Sequence, residues 1–94
     1  MDKFVKVVFD LYADRIQPDS RYRIYLEDEL LTERTWRWDD ETYLEEMLQI
    51  KAEPGLYKVS LEKALPTKTR FTVKNMRVEL GDAKIKDNDM LEIL

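Results

Sequence analysis

Polar and apolar residues alternate along most of this chain with a period of two. Between Lys3 and Tyr12, Val5, Val7, Phe9 and Leu11 fall on one face and Lys6 and Asp10 on the other. That is the pattern of a strand with one buried side. Asp14 to Ser20 breaks it as a loop around Pro18, which has no N–H to give a ladder. Arg21 to Leu26 alternates again, Tyr22, Ile24 and Leu26 against Arg21, Arg23 and Tyr25. Glu27-Asp28-Glu29 reverses the chain. Leu30 to Trp38 then returns as the second strand of a hairpin, with Trp36 and Trp38 on one side and Glu33 and Arg37 on the other.

The stretch from Asp39 to Ala52 supports two readings. Asp39 or Asp40 can cap a helix carrying Leu44, Met47, Leu48 and Lys51 at helical spacing, with Gly55 at its end. Alternatively, Leu48, Ile50 and Ala52 share one face of a strand. We favour a short helical turn or loop near residues 39–45 and a strand from about Glu46. That strand would form a hairpin with Leu56–Leu61 through the turn Glu53-Pro54-Gly55. After a loop around Pro66, Arg70 to Leu80 changes phase: Phe71 and Val73 are odd, whereas Met76, Val78 and Leu80 are even. One extra residue near Lys74-Asn75, a β-bulge, would restore a common face. Gly81-Asp82, a short Ala83–Lys86 segment, the turn Asp87-Asn88-Asp89 and a strand from Met90 to Leu94 complete the chain.

Seven to eight short strands joined by tight turns predict an all-β fold: a single antiparallel β-sandwich of jelly-roll or immunoglobulin-like type, spanning 1–94. The core expected from the alternating faces is Val5, Val7, Phe9, Ile24, Leu26, Leu48, Ile50, Tyr57, Val59, Leu61, Val78 and Ile93.

Composition narrows the chemistry. The 94 residues include no histidine and no cysteine, which removes the commonest general base, the commonest metal ligand, any thiolate and any disulfide. A reducing compartment or release by lysis is expected. The first twelve residues suit neither a signal peptide nor a membrane span. The net charge of −4 argues against nucleic acid, although Lys68, Arg70, Lys74 and Arg77 are locally basic. Residues 1–47 hold 13 acids and 7 bases, residues 48–94 hold 7 and 9; such asymmetry can orient a partner.

Acidic clusters lie in predicted turns, where capping and solubility account for them, so no catalytic residues and no cofactor are expected. Asp87 and Asp89 are hard oxygen ligands that could hold calcium, but turn chemistry alone accounts for them, so a turn is preferred and no metal is expected. The aromatics carry the strongest binding signal: Tyr25, Arg34, Trp36, Trp38 and Tyr43 are the candidate binding residues, since exposed rings serve sugars and protein interfaces alike. A contact face joining Glu27, Asp28 and Glu29 with Arg34, Trp36 and Tyr43 is expected. The basic Arg70–Arg77 strand of a second copy would complement it.

The run from Arg21 to Trp36 resembles the hairpin of small xylan-binding carbohydrate modules. Residues 52–61 and 71–78 are similar to the later strands of such jelly-roll-like sandwiches. The disulfide and calcium-ligand set common in those modules are not recognisable. The resemblance implies the sandwich, and with it a glycan as an alternative ligand. By analogy, a small free-standing sandwich without a signal peptide also resembles decoration, cement or tail-associated proteins of bacteriophages. These readings lead to a non-enzymatic interaction module, cytoplasmic or virion-associated, with a protein partner or self-association and no membrane.

Overall fold

Apolar faces of alternating strands can be buried only against one another, and here they close two sheets onto a shared interior. The computed structural model describes residues 2–17, 20–36, 43–64, 66, 68–87 and 89–94. Its strands are β1 (Lys3–Asp14), β2 (Arg21–Leu26), β3 (Glu29–Thr35), β4 (Tyr43–Ala52), β5 (Gly55–Lys63), β6 (Arg70–Leu80), β7 (Ala83–Lys86) and β8 (Met90–Ile93). A three-stranded sheet has the order β4-β1-β6 and a five-stranded sheet the order β3-β2-β5-β8-β7. Every pairing is antiparallel. The fold is an all-β sandwich without helix among the described residues.

The central position of β1 follows from its composition. Val5, Val7, Phe9, Leu11 and Ala13 fill the inward face, and Val8 is buried on the outward one, so it is the strand best able to lose water on both sides. The interior also takes Tyr22, Ile24, Leu26, Trp36, Leu48, Ile50, Val59, Leu91 and Ile93. Of the twelve core residues expected from the sequence, Tyr57, Leu61 and Val78 are only partly buried. The Tyr57 hydroxyl reaches out to the Glu53 carbonyl at 2.7 Å, and Val78 sits on the edge strand β6.

Two local expectations are corrected. Tyr43, Leu44 and Glu45 begin β4 rather than ending a helical turn; residues 39–42 lie outside the described ones. The expected hairpin of residues 48–52 with residues 56–61 is absent: β4 pairs with β1, and β5 with β2 and β8. Residues 53–54 therefore form a corner between sheets. Both strands are apolar on one side only, and lying in different sheets that share one interior buries those sides as well as lying side by side would.

In β6 the phase change is a bulge. Val8 faces Arg77 and Asp10 faces Lys74, so three steps of β6 match two of β1. Asn75 adopts a left-handed φ of 56°. A second shift pairs Lys6 with Leu80 and Val7 with Val78, which turns Leu80 outward instead of onto the face shared by Met76 and Val78. Gly81 (φ 106°) follows at a close approach: a Cβ there would lie 2.6 Å from the Phe4 carbonyl oxygen. At the far end of the sandwich, the buried hydroxyls of Ser20 and Thr69 hydrogen-bond at 2.5 Å. The Gln17 amide donates to Thr69 Oγ1 at 2.8 Å, tying the crossover after β1 to the entry of β6.

Candidate functional site

Three places on this framework carry chemistry. The first is a junction inside the sandwich. In β4 the inward parity of Leu48 and Ile50 extends back to Glu46, whose carboxylate is 1% exposed. The Tyr22 hydroxyl of β2 donates to Glu46 Oε1 at 2.7 Å, and Arg34 Nε of β3 lies 3.2 Å from the same oxygen. Among the described residues Oε2 has no hydrogen-bond partner. Burial first, then the hydrogen bond and charge of Glu46, push the Tyr22 phenol well above its ordinary range; Arg34 opposes this. The arrangement couples two sheets.

The second is the outward face of the three-stranded sheet. Cross-strand pairs run Tyr12–Tyr43, Asp10–Glu45, Val8–Met47, Lys6–Gln49 and Phe4–Lys51. Asp10 and Glu45 are like charges placed opposite each other, an arrangement that destabilises a sheet unless neutralised. Arg77 of β6 supplies the cation, with Nη1 3.4 Å from Asp10 Oδ1 and Nη2 3.2 Å from Glu45 Oε2. The rings of Tyr12 and Tyr43 stack at 5.2 Å, and Lys74 Nζ sits 5.1 Å from the Tyr12 centroid. Phe4, Tyr43, Met47 and Leu80 remain exposed on this face.

The third is a cleft of about 490 Å³ between the sheets, lined mainly by Phe9, Ile24, Val59, Leu61, Phe71 and Met76, with Asp87 and Asp89 on its rim. It opens where the bulge of β6 meets the turn joining β7 to β8.

The residues singled out from the sequence do not converge on one site. Trp36 is 3% exposed, packs edge-on against Phe71 at 6.2 Å and donates its backbone N–H to the Ser20 carbonyl. It belongs to the core and offers no platform. Trp38 lies outside the described residues. Tyr25 has the outward parity of β2 and Tyr43 that of β4, so they face opposite sides of the sandwich. Arg34 is turned to Glu46. The acidic turn is anchored to β5, since the Glu27 amide donates to the Lys58 carbonyl at 2.8 Å and Glu27 Oε1 accepts from the Lys58 amide at 3.2 Å. Arg34 is five residues along β3 from Glu29, roughly 17 Å at about 3.4 Å per residue, so the expected face joining Glu27–Glu29 with Arg34, Trp36 and Tyr43 is split. Arg77 is committed to acids of its own sheet rather than left for a second copy.

Asp87 and Asp89 meet at the cleft, but among the described residues no group of three or more acidic side chains is arranged to hold a metal ion. Sequence reasoning missed Glu46, the Arg77 bridge and the cleft. Only Glu46 had a signal, its parity with Leu48. No family model, curated protein or solved structure matches the chain.

Proposed function

We propose that the protein is a non-enzymatic interaction module, a small accessory or structural subunit that assembles by protein–protein contact through the outward face of the three-stranded sheet. The observation that carries this reading is the set of four exposed apolar side chains, Phe4, Tyr43, Met47 and Leu80, on one sheet face. Large apolar side chains exposed among mixed charge on one face are typical of interaction surfaces. Lys6, Lys51 and the Arg77 bridge lie among them and give the face both signs. β4 and β6 are both edges of this sheet, so the face is flanked by backbone able to pair with a neighbouring subunit. A bacteriophage virion is one assembly such a subunit would suit.

A glycan-binding role is less well supported. A sugar platform needs free ring faces, whereas Tyr12 is engaged by both Tyr43 and Lys74, and Trp36 is in the core.

Sedimentation velocity over a range of protein concentration and salt tests the proposal. The expected result is a mass that rises with concentration in the wild type and stays monomeric in Met47→Asp. A wild type that is monomeric throughout defeats self-assembly. Binding of xylo-oligosaccharides that is lost in Tyr43→Ala would replace the proposal with the glycan role.

A further inference from the structure

The two edges of β5 are used unequally. On one side β2 pairs with it from Val59 to Lys63. On the other side β8 pairs only with Gly55–Lys58, and one further bond runs from the Val59 amide to the Asp89 carbonyl at 2.9 Å. Backbone groups of alternate residues face the same edge of a strand. The Val59 amide faces β8, so the Val59 carbonyl and both the N–H and C=O of Leu61 point to that side as well. Asp89 does not return the bond to Val59; its amide donates to the Asp87 carbonyl at 2.8 Å, because the chain reverses there with Asp87 at φ 51°. Among the described residues no strand pairs with β5 on this side beyond Lys58.

This open edge borders the inter-sheet cleft. Phe9, Ile24, Val59, Leu61, Phe71 and Met76 make its walls apolar, and its volume is about 490 Å³, within the range of occupied binding pockets. Asp87 and Asp89 stand on the rim. Among the described residues, neither carboxylate has an ion-pair or hydrogen-bond partner. An unpaired edge, an apolar cleft beneath it and two uncompensated negative charges meet at one opening.

We propose that this opening binds an extended, basic segment of a partner protein by strand addition to β5, in line with β8. The added strand accepts from the Leu61 amide and donates to the Leu61 and Val59 carbonyls. Its alternate apolar side chains enter the cleft, while a lysine or arginine meets Asp87 and Asp89. A second copy of this chain is the poorer occupant, because each copy carries a net charge of −4 and the rim is itself acidic. The site lies between the sheets, away from the outward face, and does not depend on how that face is used.

The test titrates ¹⁵N-labelled protein with a blocked peptide of four Lys-Val repeats. Comparison probes are the Glu-Val analogue, the Lys-Val peptide N-methylated at alternate residues, and n-butylammonium. Binding of the Lys-Val peptide with slowed exchange of the Leu61 amide is expected, and no binding of the Glu-Val or N-methylated peptides. Asp87→Asn and Asp89→Asn, both at surface positions that tolerate asparagine, are each expected to weaken binding roughly fivefold, the effect of one partly exposed ion pair. Unchanged exchange at Leu61, equal affinity for the Glu-Val peptide or equal affinity in the asparagine variants overturns the proposal. Binding of n-butylammonium with no binding of the peptide makes the opening a small-cation pocket and overturns it too. Peptide shifts confined to Phe4, Tyr43 and Met47 would assign the peptide to the outward face instead.

Discussion

The Tyr22 hydroxyl and the Glu46 carboxylate are joined by a 2.7 Å hydrogen bond that crosses from one sheet of the sandwich to the other. Both side chains are fully buried, and Arg34 approaches the same oxygen from β3. A buried carboxylate is tolerated only while its charge and lone pairs are compensated. Here compensation is incomplete, since among the described residues Oε2 has no hydrogen-bond partner.

Removing one partner should therefore cost more than removing both. Tyr22→Phe is expected to lower the unfolding free energy by about 1–3 kcal/mol, as for a buried acceptor that loses a donor. Glu46→Leu alone strands the phenol and costs a similar amount. The double variant Tyr22→Phe/Glu46→Leu should recover part of the loss, giving a coupling energy of about 0.5–3 kcal/mol in a denaturant-measured double-mutant cycle. Strictly additive losses would show that the bond does not couple the sheets.

The same pair sets an alkaline limit. Burial, followed by the Glu46 hydrogen bond and charge, raises the Tyr22 phenol in the folded protein, whereas in the unfolded chain it titrates near its ordinary value of about 10. A raised folded value means the stabilisation is complete below about pH 10 and is lost as pH rises beyond it. Above that point the wild type should lose about 1.4 kcal/mol more per pH unit than Tyr22→Phe. Urea midpoints for both proteins at a series of alkaline pH values measure the difference. Parallel pH profiles would place the phenol in water.

What the sequence makes legible follows from what alternation encodes. Val5, Val7 and Phe9 mark an inward face without reference to any other strand, and the strands that show such a face are the ones observed. Alternation says nothing about which strand lies alongside. The corner between β4 and β5 thus reads as a hairpin: the apolar faces of Leu48 and Ile50 and of Val59 are buried equally well in one sheet or in two sheets that share an interior. Trp36 shows the same limit, because aromatic residues at spacing two suit a core and a platform alike, and only Phe71, thirty-five positions away in sequence, decides. Glu46 was hidden by its type rather than its position. Its parity is that of Leu48, but a carboxylate is expected in water until Tyr22 and Arg34 are brought to it. The cleft depends on β8 beginning only at Met90 and pairing with only the first part of β5, a length mismatch no local pattern records.

The phase change in β6 was legible because it breaks the alternation itself, and it supplies the last test. Asn75 takes a left-handed φ of 56°, which asparagine adopts more readily than most residues and β-branched residues resist. The extra residue keeps Val73 opposite Leu11 and Val78 opposite Val7, with Arg77 aligned beside Val8, and it sets Val73 and Met76 on the cleft wall. Asn75→Gly should be within about 0.5 kcal/mol of the wild type: glycine accepts the conformation, and the contact of Asn75 Nδ2 with Asp10 Oδ2 is long at 3.4 Å. Asn75→Val should cost about 1–3 kcal/mol in backbone strain. Deleting Asn75 should be the most damaging change, because a one-residue slip moves either Phe71 and Val73 or Met76 and Val78 to the wrong face. Thermal or urea denaturation ranks the three. A deletion as mild as the glycine variant would show that the bulge does not hold the two halves of β6 in phase.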